Sequence, residues 1–74
     1  MNTAPSIPRL KERLESLVAE MIDKGILLNE ASTQFEKQFI QKALRLNDDN
    51  ISRTSEMIGI HRNTLSKKIA LYKL

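Results

Sequence analysis

Apolar residues recur at helical spacing almost from the start of the chain. Leu10, Leu14, Leu17, Val18, Met21 and Ile22 fall at intervals of four, three, one, three and one, which gathers them on one helix face. Lys11, Glu12, Arg13, Glu15 and Glu20 take the remaining positions. Pro8 suits a first helical turn, with Ser6 or Ile7 just before it, and Gly25 stands where a helix C-cap belongs. The pattern predicts a first helix over about residues 8–24, preceded by a flexible arm over 1–7. After the apolar link Ile26-Leu27-Leu28, Asn29 is the expected N-cap of a second helix. Its predicted buried stripe is Phe35, Phe39, Ile40, Ala43 and Leu44, with Gln34, Lys37, Gln38, Gln41 and Lys42 outward. The run Asn47-Asp48-Asp49-Asn50 ends that helix, because these short side chains compete for backbone hydrogen bonds.

The last third reads as two shorter helices. Asn50 is the expected cap of a third helix over about 51–58, with Ile51, Ser55 and Ile58 facing inward. Gly59 breaks it, Ile60 plugs the turn, and His61 opens a fourth helix from Arg62 to Tyr72 with Leu65, Ile69 and Tyr72 inside. There is no strand signal and no internal repeat, so the expected fold is all-α: four helices in one domain. Residues 8–46 form a helical pair and 47–74 a helix-turn-helix. Short helix, glycine turn and basic helix meet the demands of that motif. Ser55 is small where the two helices approach, Gly59 supplies the backbone freedom of a tight turn, and Ile60 and Leu65 set the angle. Asn63, Thr64, Lys67 and Ala70 lie opposite the apolar face, polar at the start and small at the end, as a face entering a groove requires.

The run Asn50-Ile51-Ser52-Arg53, continued by Met57-Ile58-Gly59-Ile60-His61-Arg62-Asn63-Thr64-Leu65-Ser66-Lys67-Lys68-Ile69, resembles the Fis-type helix-turn-helix family. That module forms the nucleoid protein Fis and the C-terminal DNA-binding domain of NtrC-like enhancer-binding activators. The likeness extends back through Phe35-Glu36-Lys37-Gln38-Phe39-Ile40 and Ala43-Leu44, and covers about residues 30–74. The resemblance implies sequence-specific binding of double-stranded DNA by a homodimer in bacterial transcription, as a free-standing regulator or as the DNA-binding domain of an activator. Arg62 would read a guanine edge with two hydrogen bonds. Thr64 and Lys67 would hold phosphate or a neighbouring base, Ser52 and Arg53 the phosphate backbone, and Lys68 phosphate. His61 and Asn63 complete the implied DNA-binding set, His61 foremost as a helix cap. Two positions depart from the family: His61 replaces a usual Asn or Ser, and Ser66 replaces a basic residue of the nucleoid protein, removing one phosphate contact.

Composition then narrows the alternatives. A chain of 74 residues builds one small core, worth roughly 3–5 kcal/mol of net stability, and usually needs a staple. With no cysteine and one histidine, disulfides, thiolate metal sites and multi-histidine sites are excluded, which leaves self-association. The Asp48-Asp49 pair lacks calcium-loop spacing. The first helix carries a stripe too wide for the helix-turn-helix to cover, and burying each such side chain is worth about 1.5–3 kcal/mol. A homodimer interface is therefore expected from Leu10, Leu14, Leu17, Val18, Met21, Ile22, Leu27, Leu28, Phe35 and Phe39, arranged as a four-helix core. DNA would bend if the two reading helices sit closer than one helical turn.

The formal net charge of +3 is unevenly spread. Residues 51–74 hold five basic groups against one acidic, a net +4, whereas residues 1–50 net −1. That asymmetry points the C-terminal end toward a polyanion. Double-stranded DNA is the expected partner, with the protein itself and a transcription complex. The alternative is a helical interaction module whose basic end meets an acidic protein. No nucleophile–base set, phosphate-cradling glycine loop or pocket volume suggests an enzyme, a cofactor or a small-molecule substrate. The aromatics Phe35, Phe39 and Tyr72 are expected on inner faces, which disfavours RNA recognition by stacking. No apolar run spans a membrane and no signal peptide is evident, so the expected location is cytoplasmic and nucleoid-associated.

Overall fold

The computed structural model describes residues 6–74, with side chains from Arg9 onward. Four helices follow one another: α1 (Ser6–Asp23), α2 (Leu28–Leu46), α3 (Ile51–Ile58) and α4 (Arg62–Tyr72). Among the described residues there is no strand, and no helix is long and apolar enough to cross a membrane. The chain divides into two compact units, one ending at Ala31 and the other Ser32–Leu74.

The first unit is essentially α1 and its turn. The helix begins at Ser6, not at about 8, so residues 6 and 7 of the expected arm are helical and Pro8 lies inside the first turn. A proline is tolerated there because the first N–H groups of a helix have no intrahelical acceptor. The remaining arm residues, 1–5, lie outside the described residues. Gly25 closes the helix with φ 76°: its N–H reaches the Ile22 carbonyl at 3.0 Å and that of Ile26 reaches Met21 at 3.0 Å. This is the Schellman arrangement, which needs a left-handed residue at that point. The cap of α2 differs from expectation. Asn29 lies inside the helix, and Leu27 is the residue before it, its N–H accepted by Glu30 Oε1 at 3.1 Å. A glutamate three residues into a helix can satisfy an orphan donor even when the residue at the cap has no polar side chain.

In the second unit Ile40 and Leu44 of α2 meet Leu65 of α4, which is fully buried, and Ala43 is buried on the same helix. Ile51, Ile58, Ile60, Ile69, Tyr72 and Leu74 pack around that cluster. The inward positions read from periodicity in α3 and α4 are thus the ones that pack. In α2 the stripe splits. Phe35 and Phe39 are 60% and 51% exposed, their rings stacked at a tilt with centroids 5.7 Å apart, so they are not core within one chain. Their periodicity marks an apolar face wider than the part that packs in the core cluster. The helix ends where Asn47 Nδ2 donates to the Ala43 carbonyl at 2.8 Å and Asp48 and Asp49 take φ of 51° and 63°. Left-handed backbone is one that Asp tolerates better than most residues.

Candidate nucleic-acid interface

The turn between α3 and α4 is built by backbone capping at every end. Asn50 Oδ1 accepts the Arg53 N–H at 2.9 Å, as expected of an N-cap. Thr54, fully buried, donates its hydroxyl to the Asn50 carbonyl at 2.7 Å, and Ser55 donates to the Ser52 carbonyl at 2.8 Å. Two hydroxyls satisfied within their own helix let it lie flush against apolar neighbours without stranding a polar atom. Gly59 then takes φ 77°, and the N–H groups of Gly59 and Ile60 both reach the Ser55 carbonyl, at 2.9 and 3.1 Å. His61 starts α4: its Nδ1 accepts the Asn63 N–H at 3.1 Å.

This frame leaves one set of side chains in solvent. Ser52 and Arg53 at the start of α3, the cap residue His61, and Arg62, Asn63, Thr64, Ser66, Lys67 and Ala70 on α4, are all exposed. Leu65, buried on the same helix, anchors it in the core. The first turn of α4 therefore presents a guanidinium, an amide and a hydroxyl in succession, with Lys67 one turn on. Planar forked donors and a small terminal residue suit entry into a duplex major groove. His61 is occupied as a cap, which is the role its position suggests first.

Lys68 is the member of the expected set that is held elsewhere. Its Nζ donates to Glu36 Oε2 of α2 at 2.8 Å, and the Tyr72 hydroxyl donates to the same oxygen. The hydrogen bond from Lys68, followed by that from Tyr72, holds the Glu36 carboxyl below its ordinary value of 4.5, against a smaller opposing effect of burial. The same bonds to Glu36 raise Lys68 above 10.5 and, with burial second, Tyr72 above 10.0. Sequence reasoning missed Glu36. A signal existed: Glu36, Ile40 and Leu44 are spaced by four, which puts a carboxylate on the buried line of α2.

Next to this network, Phe35, Phe39, Leu46 and Met57 line an open apolar groove on the second unit. Among the described residues there is no grouping of three or more His, Asp or Glu side chains that could hold a metal ion. Residues 32–72 match the family model described as "Bacterial regulatory protein, Fis family". No curated protein matches the chain, and no solved structure does.

Proposed function

The chain belongs to the Fis family of bacterial regulatory proteins, and from that premise we propose that it binds double-stranded DNA sequence-specifically as a homodimer and so regulates transcription. The observation that carries the reading is the exposed first turn of α4, set on a capped turn and anchored by Leu65. Arg62 donates two hydrogen bonds to a guanine edge in the major groove, each such bidentate pair being worth about 1–3 kcal/mol of discrimination. Asn63, Thr64 and His61 line the same entry. Lys67 and the Ser52–Arg53 end of α3 bind phosphate, whereas Lys68 is paired with Glu36.

The dimer rests on the apolar residues that remain exposed. Leu10, Leu14, Leu17, Val18 and Ile22 of α1 are exposed, and so are Phe35 and Phe39 of α2. Leu10, Leu14, Leu17, Val18, Met21, Ile22, Leu27, Leu28, Phe35 and Phe39 of two protomers close a four-helix core. Two-fold symmetry offers two copies of α4 to half-sites of a roughly palindromic operator, about 34 Å apart on straight DNA, and a shorter spacing bends the duplex. Such a protein works on the nucleoid, alone or within a transcription complex.

Selection of bound sites from a random duplex pool tests this. A palindromic consensus, bound with affinity that falls steeply as salt rises and that loses its sequence preference in Arg62→Ala, is the expected result. Equal affinity for every duplex, or preference for an acidic protein over any duplex, would overturn it.

A further inference from the structure

Glu36 touches none of the side chains assigned to reading DNA, yet it gathers two others of the same helix. Lys68 and Tyr72 lie one turn apart on α4, and both donate to the same oxygen of Glu36 on α2. Between them and around them, Leu65 and Ile69 supply the apolar packing. Apolar packing is non-directional: burial is retained when a helix rotates slightly or slides along its axis. Hydrogen bonds are directional and weaken steeply off line. Two donors on successive turns, converging on one carboxylate of a neighbouring helix, therefore fix both the rotation and the axial position of α4.

We propose that Glu36 is a positioning residue for base readout: it sets the rotation of α4 that aims Arg62, and it keeps Lys68 off the DNA backbone. The proposal rests on the DNA-binding reading. Bidentate contact to a base edge tolerates about 0.5 Å and 10–20° of error, so a helix free to rotate reads less well while its charge still attracts phosphate. Lys68 paired with Glu36 contributes no net charge at the backbone; Lys68 released would add one phosphate contact of no sequence value. Glu36 thus favours discrimination over bulk affinity in both ways.

Binding of the selected operator and of a scrambled duplex, measured across a salt series for the full chain and for Glu36→Gln, Lys68→Met and Tyr72→Phe, tests the assignment. In Glu36→Gln the ratio of operator to scrambled affinity is expected to narrow roughly tenfold, with a salt slope steeper by about 0.9 for the freed lysine. Tyr72→Phe narrows the ratio at unchanged slope, and Lys68→Met leaves the slope as it was. A slope flattened by about 0.9 in Lys68→Met would place Lys68 on phosphate and overturn the proposal. So would equal loss on both duplexes in Glu36→Gln and Tyr72→Phe, the mark of a purely structural role. Amide exchange in the free proteins separates this from the functional reading: Glu36→Gln is expected to speed exchange in α4 more than in α3. If the unsubstituted chain discriminates no duplex, the functional reading fails, and uniform exchange across both helices would then dismiss the positioning role as well.

Discussion

His61 Nδ1 accepts the backbone N–H of Asn63 at 3.1 Å, so the ring that opens α4 is fastened to its own helix. A side chain that caps stabilises by satisfying an orphan donor, and losing one costs about 0.5–2 kcal/mol. His61→Ala is expected to lower stability by about that amount in chemical denaturation, and His61→Asn to restore it. Unchanged stability in both variants would show that the cap contributes nothing.

Arg62 and Lys67 are both exposed on α4 but are expected to fail in different ways when removed. Arg62→Ala should cost about 1–3 kcal/mol on the operator and little on scrambled DNA. Lys67→Ala should weaken both alike and flatten the salt slope by about one contact. Titrations of each variant on the two duplexes at several salt concentrations distinguish reader from anchor.

Leu65 has no exposed surface and touches the only clustered apolar core of the second unit that the described residues form. Truncation to Ala leaves a cavity and removes packing, a loss of about 2–5 kcal/mol. For a chain this small that approaches the whole reserve of stability. Leu65→Ala is expected to be largely unfolded at room temperature by circular dichroism, unless self-association restores it at high concentration.

That dependence on concentration is itself a prediction. If two chains share a core, the melting temperature rises with protein concentration by mass action. Leu14→Asp, which places a charge in the α1 stripe, should yield a monomer by sedimentation and lower operator affinity far more than affinity for a single half-site. A monomeric mass for the unsubstituted chain at micromolar concentration would refute the four-helix interface.

Acid should loosen α4 by way of Glu36. Its carboxyl is held below 4.5 in the folded chain, so the stability it contributes is complete above that value and is lost as pH falls through the lowered one. At the alkaline end Tyr72 and Lys68 are raised above 10.0 and 10.5, so their share is present below those values and disappears as pH climbs through the raised ones. The stability gap between the unsubstituted chain and Glu36→Gln should therefore close at both extremes and be widest between them. A gap constant across the whole range would exclude the network as its source.

Local signals carried most of the fold. Gly25 and Gly59 both adopt the left-handed backbone their positions demand, and Asn50 and His61 cap the helices they precede. Lys73 ends α4 with φ 59° without being glycine, and a lysine carries no sequence signature of that backbone. The start of α2 is hidden in the sequence for a related reason: Leu27 offers no capping side chain, and only Glu30 betrays the boundary. Phe35 and Phe39 show a different limit, since periodicity identifies an apolar face without saying which chain covers it. The Glu36–Lys68–Tyr72 contacts join residues more than thirty positions apart, a pairing that helix periodicity does not encode.

Gly59 has a further consequence. A β-carbon added there would meet nothing within 4 Å, yet the backbone stands at φ +77°. The turn thus requires a handedness, not a void. A D-alanine incorporated by chemical synthesis at position 59 adopts this torsion without strain and restricts the unfolded chain, which should stabilise the protein by about 0.4–1 kcal/mol. Its mirror image, L-alanine, would fit the same open space and still oppose the bend. The motif that brings a reading helix to DNA depends, at this one residue, on chirality alone.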